Sequence, residues 1–248
     1  MQNFSPEIHE IFKRKFEIKE NPSQIDKEFL EKARKYLNFI KWIPGIKMIG
    51  VGNSISMNTG TSDSDIDLFI VTSPNKLWTV RILITIIFQI LLVRKTSTKH
   101  AGRFCLSFFA TENALDFGTF AIKNDVYLYF RILYFKPILD FDNTYEKFIE
   151  ANATWANFSL YQDIIEENRK GIKIKNVNVG NEYFHSDNNR NENIRSLPEK
   201  ILKNIFLPRT IKTYEKLRKP FGVIINDDML KFHDKDVREE IRDEIISR

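Results

Sequence analysis

The chain has one cysteine, Cys105, among 248 residues. That excludes an intrachain disulfide and any zinc site built from several cysteines. Cys105 is expected to pack as a small core residue, because no Cys–His pairing is in view. Also lacking is an apolar run long enough to span a membrane. The most apolar stretch, Leu77 to Val93, carries Arg81, Thr85 and Gln89 at i, i+4 and i+8. They form a polar stripe on one helix face, and the unbroken apolar length falls short of the ~20 residues a span needs. A buried helix covering a sheet is expected there, with no membrane span. Met1 to Glu7 lacks a basic flank followed by an apolar core. No signal peptide is therefore read, and a cytoplasmic location is the expectation.

What the chain does contain supports a folded core. The apolar fraction is 42% and there are 21 phenylalanines, which argues against general disorder. The net charge of +5 is mildly basic and favours a phosphate-bearing partner, although charge alone speaks mainly to non-specific association.

The chemistry concentrates between Gly50 and Thr72. Ile66-Asp67-Leu68-Phe69-Ile70-Val71 is short, apolar and flanked by polar turns, which reads as a buried strand. Asp65 and Asp67 open it two residues apart, so they share a face with Cα atoms about 6.5–7 Å apart. Two desolvated carboxylates repel and raise at least one pKa unless a cation sits between them. Mg²⁺ prefers one or two carboxylates plus substrate phosphates, which suits this small acid set. The alternative is that both acids lie on a solvent face at a strand end. Upstream, Ile46 to Val51 reads as a strand running into Gly52-Asn53-Ser54. A glycine there allows a tight turn and close backbone approach, and a helix opening after it would offer N–H groups to phosphate.

Gly52-Asn53, eleven intervening residues and then Asp65-Ile66-Asp67-Leu68 resemble the active-site signature of the nucleotidyltransferase superfamily related to DNA polymerase beta. Ser64-Asp65-Ile66-Asp67 has the superfamily's Ser-Asp-Ile-Asp form, while Asn53 stands where Gly or Ser is usual. Met57-Asn58, Asp67 to Thr72, Leu77-Trp78, Lys136 to Asp140 and Tyr145 to Phe148 resemble a little-characterised group of bacterial proteins with such a domain, over roughly residues 32 to 158. The C-terminal Met229-Leu230-Lys231-Phe232-His233 followed by Asp-x-Arg adds to that likeness.

The resemblance implies an α/β (α+β) fold, with a mixed sheet backed by helices and a helical C-terminal region. It implies transfer of a nucleoside monophosphate from an NTP to an acceptor hydroxyl, with release of pyrophosphate. Gly52, Asn53 and Ser54 would bind the nucleotide, and Asp65 and Asp67 would hold Mg²⁺ or Mn²⁺. The acceptor is left open between a small molecule, a protein and an RNA end. Active members take a third acid from the next strand. Here that strand is Phe104 to Ala110, which has Ser107 in its polar slot and no acid, the nearest being Glu112 and Asp116. Two rivals follow: a catalytically degenerate nucleotide-binding pseudoenzyme, and a basic nucleic-acid or protein interaction module.

The rest of the chain supplies scaffold. The divisions expected are an N-terminal helix over 1–23, the nucleotidyltransferase-like domain over 24–142, a packed helix over 143–170, a polar linker over 171–196 and a helical region over 197–248. Arg94 to Arg103 carries four Lys or Arg residues and His100, and reads as a solvated loop. The aromatic series between Asn113 and Leu139 has near-helical spacing and reads as core. Pro137 is expected to close it, with Leu139 to Asn143 a loop whose acids serve as caps. His185 is expected to be solvated and His233 to serve a helix cap.

Overall fold

A computed structural model describes residues 1–174, 197–215, 222–232 and 236–246. Most of the expected polar linker, with His185, and also His233 lie outside the described residues.

The first elements form where local signals place them. Helix α1 (Pro6–Lys15) is capped by Ser5, whose Oγ accepts from the Ile8 amide. Helix α2 (Gln24–Ile40) opens on a capping box of Ser23 and Asp26. Strand β1 (Ile46–Val51) leads through Gly52 into the short helix α3 (Asn53–Ser56), and β2 (Ile66–Thr72) follows. Helix α4 (Leu77–Ile90) connects to β3 (Phe104–Thr111). Then come α5 (Val126–Leu133), β4 (Lys136–Asp140), α6 (Thr144–Asn152), α7 (Gln162–Gly171) and α8 (Leu197–Glu215). Strands β5 (Val223–Ile225) and β6 (Met229–Phe232) and helix α9 (Arg238–Ile246) complete the chain.

The fold is α/β, as expected. Among the described residues six strands form one mixed sheet in the order β4-β1-β2-β3-β6-β5, with β2 and β3 parallel and the other neighbouring pairs antiparallel. One face carries α1, α5, α6, α7 and α9 over a core containing Phe12, Phe69, Phe130 and Phe148. The other carries α2, α4 and α8 over Leu37, Ile70, Trp78 and Phe104. Trp78 lies on α4, so that helix does cover the sheet. No described helix is long and apolar enough to cross a membrane. A Cβ at Gly50 would sit 2.3 Å from Phe135 Cζ and 2.6 Å from the Lys136 carbonyl, so glycine is what lets β4 close on β1.

Three expectations need correction. Lys136 to Asp140 is a strand, and Pro137 does not end the structure. The strand lies at the sheet edge, and Pro137 stands opposite Gly50 at a register shift, both places that tolerate proline. Asp140 does act as a cap, its Oδ1 accepting from the Tyr145 amide at 3.0 Å. The expected single helix after Asn143 is two, α6 and α7, separated by a turn and a short 3-10 segment. The C-terminal region is not wholly helical, because β5 and β6 extend the same sheet through pairing of β6 with β3. Helix α8 continues through Pro208. It docks on α4 through the buried Glu199, which accepts from the Trp78 and Thr79 amides at 2.8 Å each and caps α4 from outside.

Candidate metal and phosphate site

The loop between α3 and β2 is tethered along its length. The buried Asp26 accepts from the Gly60 amide at 2.9 Å, and a Cβ at Gly60 would lie 2.5 Å from that carboxylate. Farther on, the Gly102 amide donates to the Ser64 carbonyl at 2.7 Å and the Ile66 amide to that of Arg103 at 2.8 Å. Asp65 and Asp67 therefore enter β2 from a fixed direction.

Both aspartates project on the α5 side of the sheet, the side to which Phe69 and Val71 also belong. Carboxylate oxygens of Asp65 and Asp67 and the Sγ of Cys105 all lie within 4.8 Å of one another. Cys105 pairs with Asp67 across the parallel β2–β3 ladder. Two positions along, Phe69 pairs with Phe108 and not with Ser107, so β3 carries one extra residue in this interval. The resulting bulge puts Cys105 and Phe108 on one side despite their odd spacing. Strict alternation conceals this, which is why Ser107 reads as the polar slot.

Lys95 and Arg131, which sequence reasoning left out of the site, complete the shell with Asn53. Lys95, in the supposedly solvated connector, donates from Nζ to Asp65 Oδ2 at 2.6 Å. Asn53, whose backbone is left-handed with φ of 58°, donates from Nδ2 to Asp67 Oδ2 at 2.6 Å. Its Oδ1 accepts from Arg131 at 2.8 Å, and Arg131 also donates to the Tyr127 hydroxyl at 2.6 Å. Tyr127 and Arg131 are four apart on α5, one turn of helix, and that spacing is the only signal available in the sequence.

The protonation equilibria follow from this crowding. Burial, then the charge of Asp65, raises the Asp67 pKa above the ordinary carboxylate range, while hydrogen bonds from Asn53 and Cys105 and the charge of Lys95 work against the rise. Burial and Asp67 push the Cys105 thiol up to about 12, so it is protonated at neutral pH. For Lys95, burial opposes the charge, but the bond to Asp65 and the surrounding acids prevail and raise its pKa.

The expected residues fall unevenly around this centre. Asn53 touches Asp67, whereas the Gly52 amide is committed to the Asp67 carbonyl at 3.0 Å and is not free for a phosphate. A Cβ at Gly52 would meet nothing within 4 Å, so the space beside it is open. The Ser54 carbonyl accepts from the Thr59 amide and hydroxyl, fixing the start of the loop. Neither Glu112 nor Asp116 joins the aspartates. Glu112 follows Thr111, which pairs with Thr72 at the far end of β2, and it faces Lys147 at 3.2 Å and Lys47 at 3.7 Å. Asp116 caps a 3-10 turn by accepting from the Gly118 amide. No family model matches the chain, and no curated protein matches it.

Proposed function

We propose that the chain is a nucleotidyltransferase that uses Mg²⁺ or Mn²⁺ to move a nucleoside monophosphate from an NTP to an acceptor hydroxyl, releasing pyrophosphate. The observation that carries this reading is the Asp65–Asp67 pair, with oxygens within 4.8 Å at the start of β2 and beside the turn between β1 and α3. The donor set fits a hard divalent ion. Two carboxylate oxygens suit Mg²⁺, and the raised pKa of Asp67 reports a pair short of positive charge. The protonated Cys105 thiol is a poor partner for Mg²⁺, which leaves two protein ligands and the substrate phosphates.

The bound ion would neutralise charge on the α-phosphate and the departing pyrophosphate. The chain's own residues do the positioning. Asn53 fixes the Asp67 carboxylate, and Arg131 fixes Asn53. Lys95, on a flexible stem and 40% exposed, would be free to turn from Asp65 to a phosphate oxygen with an ion bound. The space beside Gly52, where a Cβ would meet nothing within 4 Å, is where the triphosphate would enter. An acceptor hydroxyl then attacks in line: its oxygen bonds to the α-phosphorus, the bond to the leaving pyrophosphate breaks, and the proton passes to solvent. The acceptor is a small molecule, a protein or an RNA end.

A second reading, nucleotide binding without turnover, draws on one feature. Cys105 stands beside Asp67 on the strand from which active members of the resembled superfamily supply a third acid. Pyrophosphate release from a panel of NTPs with candidate acceptors, with and without Mg²⁺, separates the two. Transfer predicts Mg²⁺-dependent release that Asp65→Ala/Asp67→Ala abolishes. Nucleotide binding lost in that variant with no release from wild type favours the second reading. Identical binding and turnover in both proteins refutes the metal site.

A further inference from the structure

Past Asp67 the same face of β2 continues with Phe69, and there the molecule opens into a cavity of about 170 Å³. An apolar cavity of roughly 150 Å³ accommodates benzene. This space therefore suits one aromatic ring and little more. Its walls include Phe69, Phe108, Phe117 and Phe148. Ring centres lie 4.6 Å apart for Phe69 and Phe108, 5.3 Å for Phe108 and Phe117, and 5.1 Å for Phe117 and Phe148.

Hydrocarbon walls alone would select hydrocarbon, but Arg131, Lys231 and Arg238 also line this cavity. Arg238 is compensated, lying 2.6 Å from Asp236 and 3.1 Å from Asp125. The other two have no carboxylate at ion-pair distance among the described residues, although the charges of Asp236, also on the cavity wall, and Asp125 reach Lys231. Arg131 gives its terminal nitrogens to the neutral oxygens of Asn53 and Tyr127, and its Nε is buried without an acceptor. Lys231 donates to the Gly222 carbonyl at 2.8 Å and lies 5.7 Å from the centre of the Phe120 ring. Burial, then the charge of Arg238, draws its pKa down to about 8 against the opposing charges of Asp236 and Asp125. Cations held in an apolar setting without counter-charge are costly, and an anion delivered by a ligand relieves that cost.

We propose that this cavity binds a small aromatic acid, with the ring among the phenylalanines and the anionic group against Lys231 and Arg131. Gly52 and Asn53 form part of the same wall, so the bound acid lies next to Asp67. The site goes beyond the transferase reading and needs neither metal nor nucleotide.

The test uses the full chain in the presence of a chelator and without nucleotide. Benzoate, phenyl phosphate, toluene and acetate are titrated by ligand-observed NMR and by thermal shift. The expected result is saturable binding of benzoate or phenyl phosphate, about tenfold or more tighter than toluene or acetate. The tighter of the two acids tells whether the cations prefer carboxylate or phosphate. Lys231→Met should weaken the acid by about tenfold and leave toluene unchanged. Leu128→Phe, which fills the cavity, should raise the melting temperature of the free protein and abolish binding. Absence of saturable binding by either acid, equal binding of toluene, or binding that survives in a folded Leu128→Phe protein would overturn the proposal.

Discussion

Replacing Asp67 with Asn should stabilise the metal-free protein while destroying the proposed metal site. The carboxylates of Asp65 and Asp67 approach within 4.8 Å. At that separation and an effective dielectric of about 20, two unit charges repel by about 3.5 kcal/mol. Most of this is offset, because Lys95 sits 2.6 Å from Asp65 and Asn53 donates to Asp67 at 2.6 Å. An amide at position 67 keeps an oxygen for Asn53 and removes the repulsion, for a net gain of about 1 kcal/mol. In a chain of this length that corresponds to about 2–4 °C in melting temperature. The pH dependence has a definite sign. The folded-state pKa of Asp67 is raised, mainly by burial and then by Asp65. The stability tied to its protonated form is therefore present at low pH and lost as pH rises through the folded value. Wild type loses that contribution as pH is raised from the ordinary carboxylate range to above the folded value, whereas Asp67→Asn does not titrate, so the gap between them widens with pH. Thermal melts in chelator across that range, repeated with saturating Mg²⁺, provide the assay. Mg²⁺ should raise the wild-type melting temperature and leave the variant unmoved. A variant less stable than wild type near pH 8, or a gap that does not widen, refutes the electrostatic reasoning.

Two further outcomes follow from buried partners. Arg238 pairs with the fully buried Asp125, which also caps α5 by accepting from the Leu128 amide. Arg238→Met leaves that acid uncompensated and should cost about 3–5 kcal/mol in urea denaturation. Burial already raises the Asp125 pKa, so the loss should be smaller at low pH, where the acid takes up a proton; a pH-independent loss below about 1 kcal/mol counts against the pair. Cys105, with its thiol pushed up to about 12 by burial and then by Asp67, should have about a thousandth of the thiolate of an ordinary cysteine near neutral pH. Alkylation by iodoacetamide, followed by mass spectrometry, should be correspondingly slow, and labelling at the rate of a free thiol would show that the cluster is open.

The parts of the fold legible in the sequence are those governed by neighbours in the chain. Ser5 and Ser23 cap helices through residues three positions away, and the apolar run of β2 declares itself within seven residues. Edge elements were opaque. Pro137 is a breaker in local terms, and its place at a register shift on an edge strand makes it tolerable. Strands β5 and β6 are three and four residues long, and β6 owes its existence to β3, with Lys231 pairing to Phe108. The site divides along the same line. Asp65 and Asp67 stand out because a strand's period of two makes them neighbours. Lys95 and Arg131 reach the site from 30 residues after Asp65 and 78 residues after Asn53, distances at which no periodicity operates.

One extra residue in β3 organises both halves of this face. Without it, Cys105, Ser107 and Phe109 would share a side, and Phe109 belongs to the opposite core, packed with Phe88 and Phe104. With it, Cys105 stands beside Asp67 and Phe108 beside Phe69. The carboxylate pair then has a protonated thiol as its neighbour, while the next pleat of the same two strands offers two aromatic rings 4.6 Å apart as a wall of the cavity. The charged group and the apolar pocket are thus consecutive steps along a single strand pair, about 6.5–7 Å apart by strand geometry. Asn53 and Arg131 connect them, because the guanidinium that holds Asn53 against Asp67 also lines the cavity. A ligand anion drawn to Arg131 would therefore act on the position of Asn53, and through it on the carboxylate proposed to hold the metal.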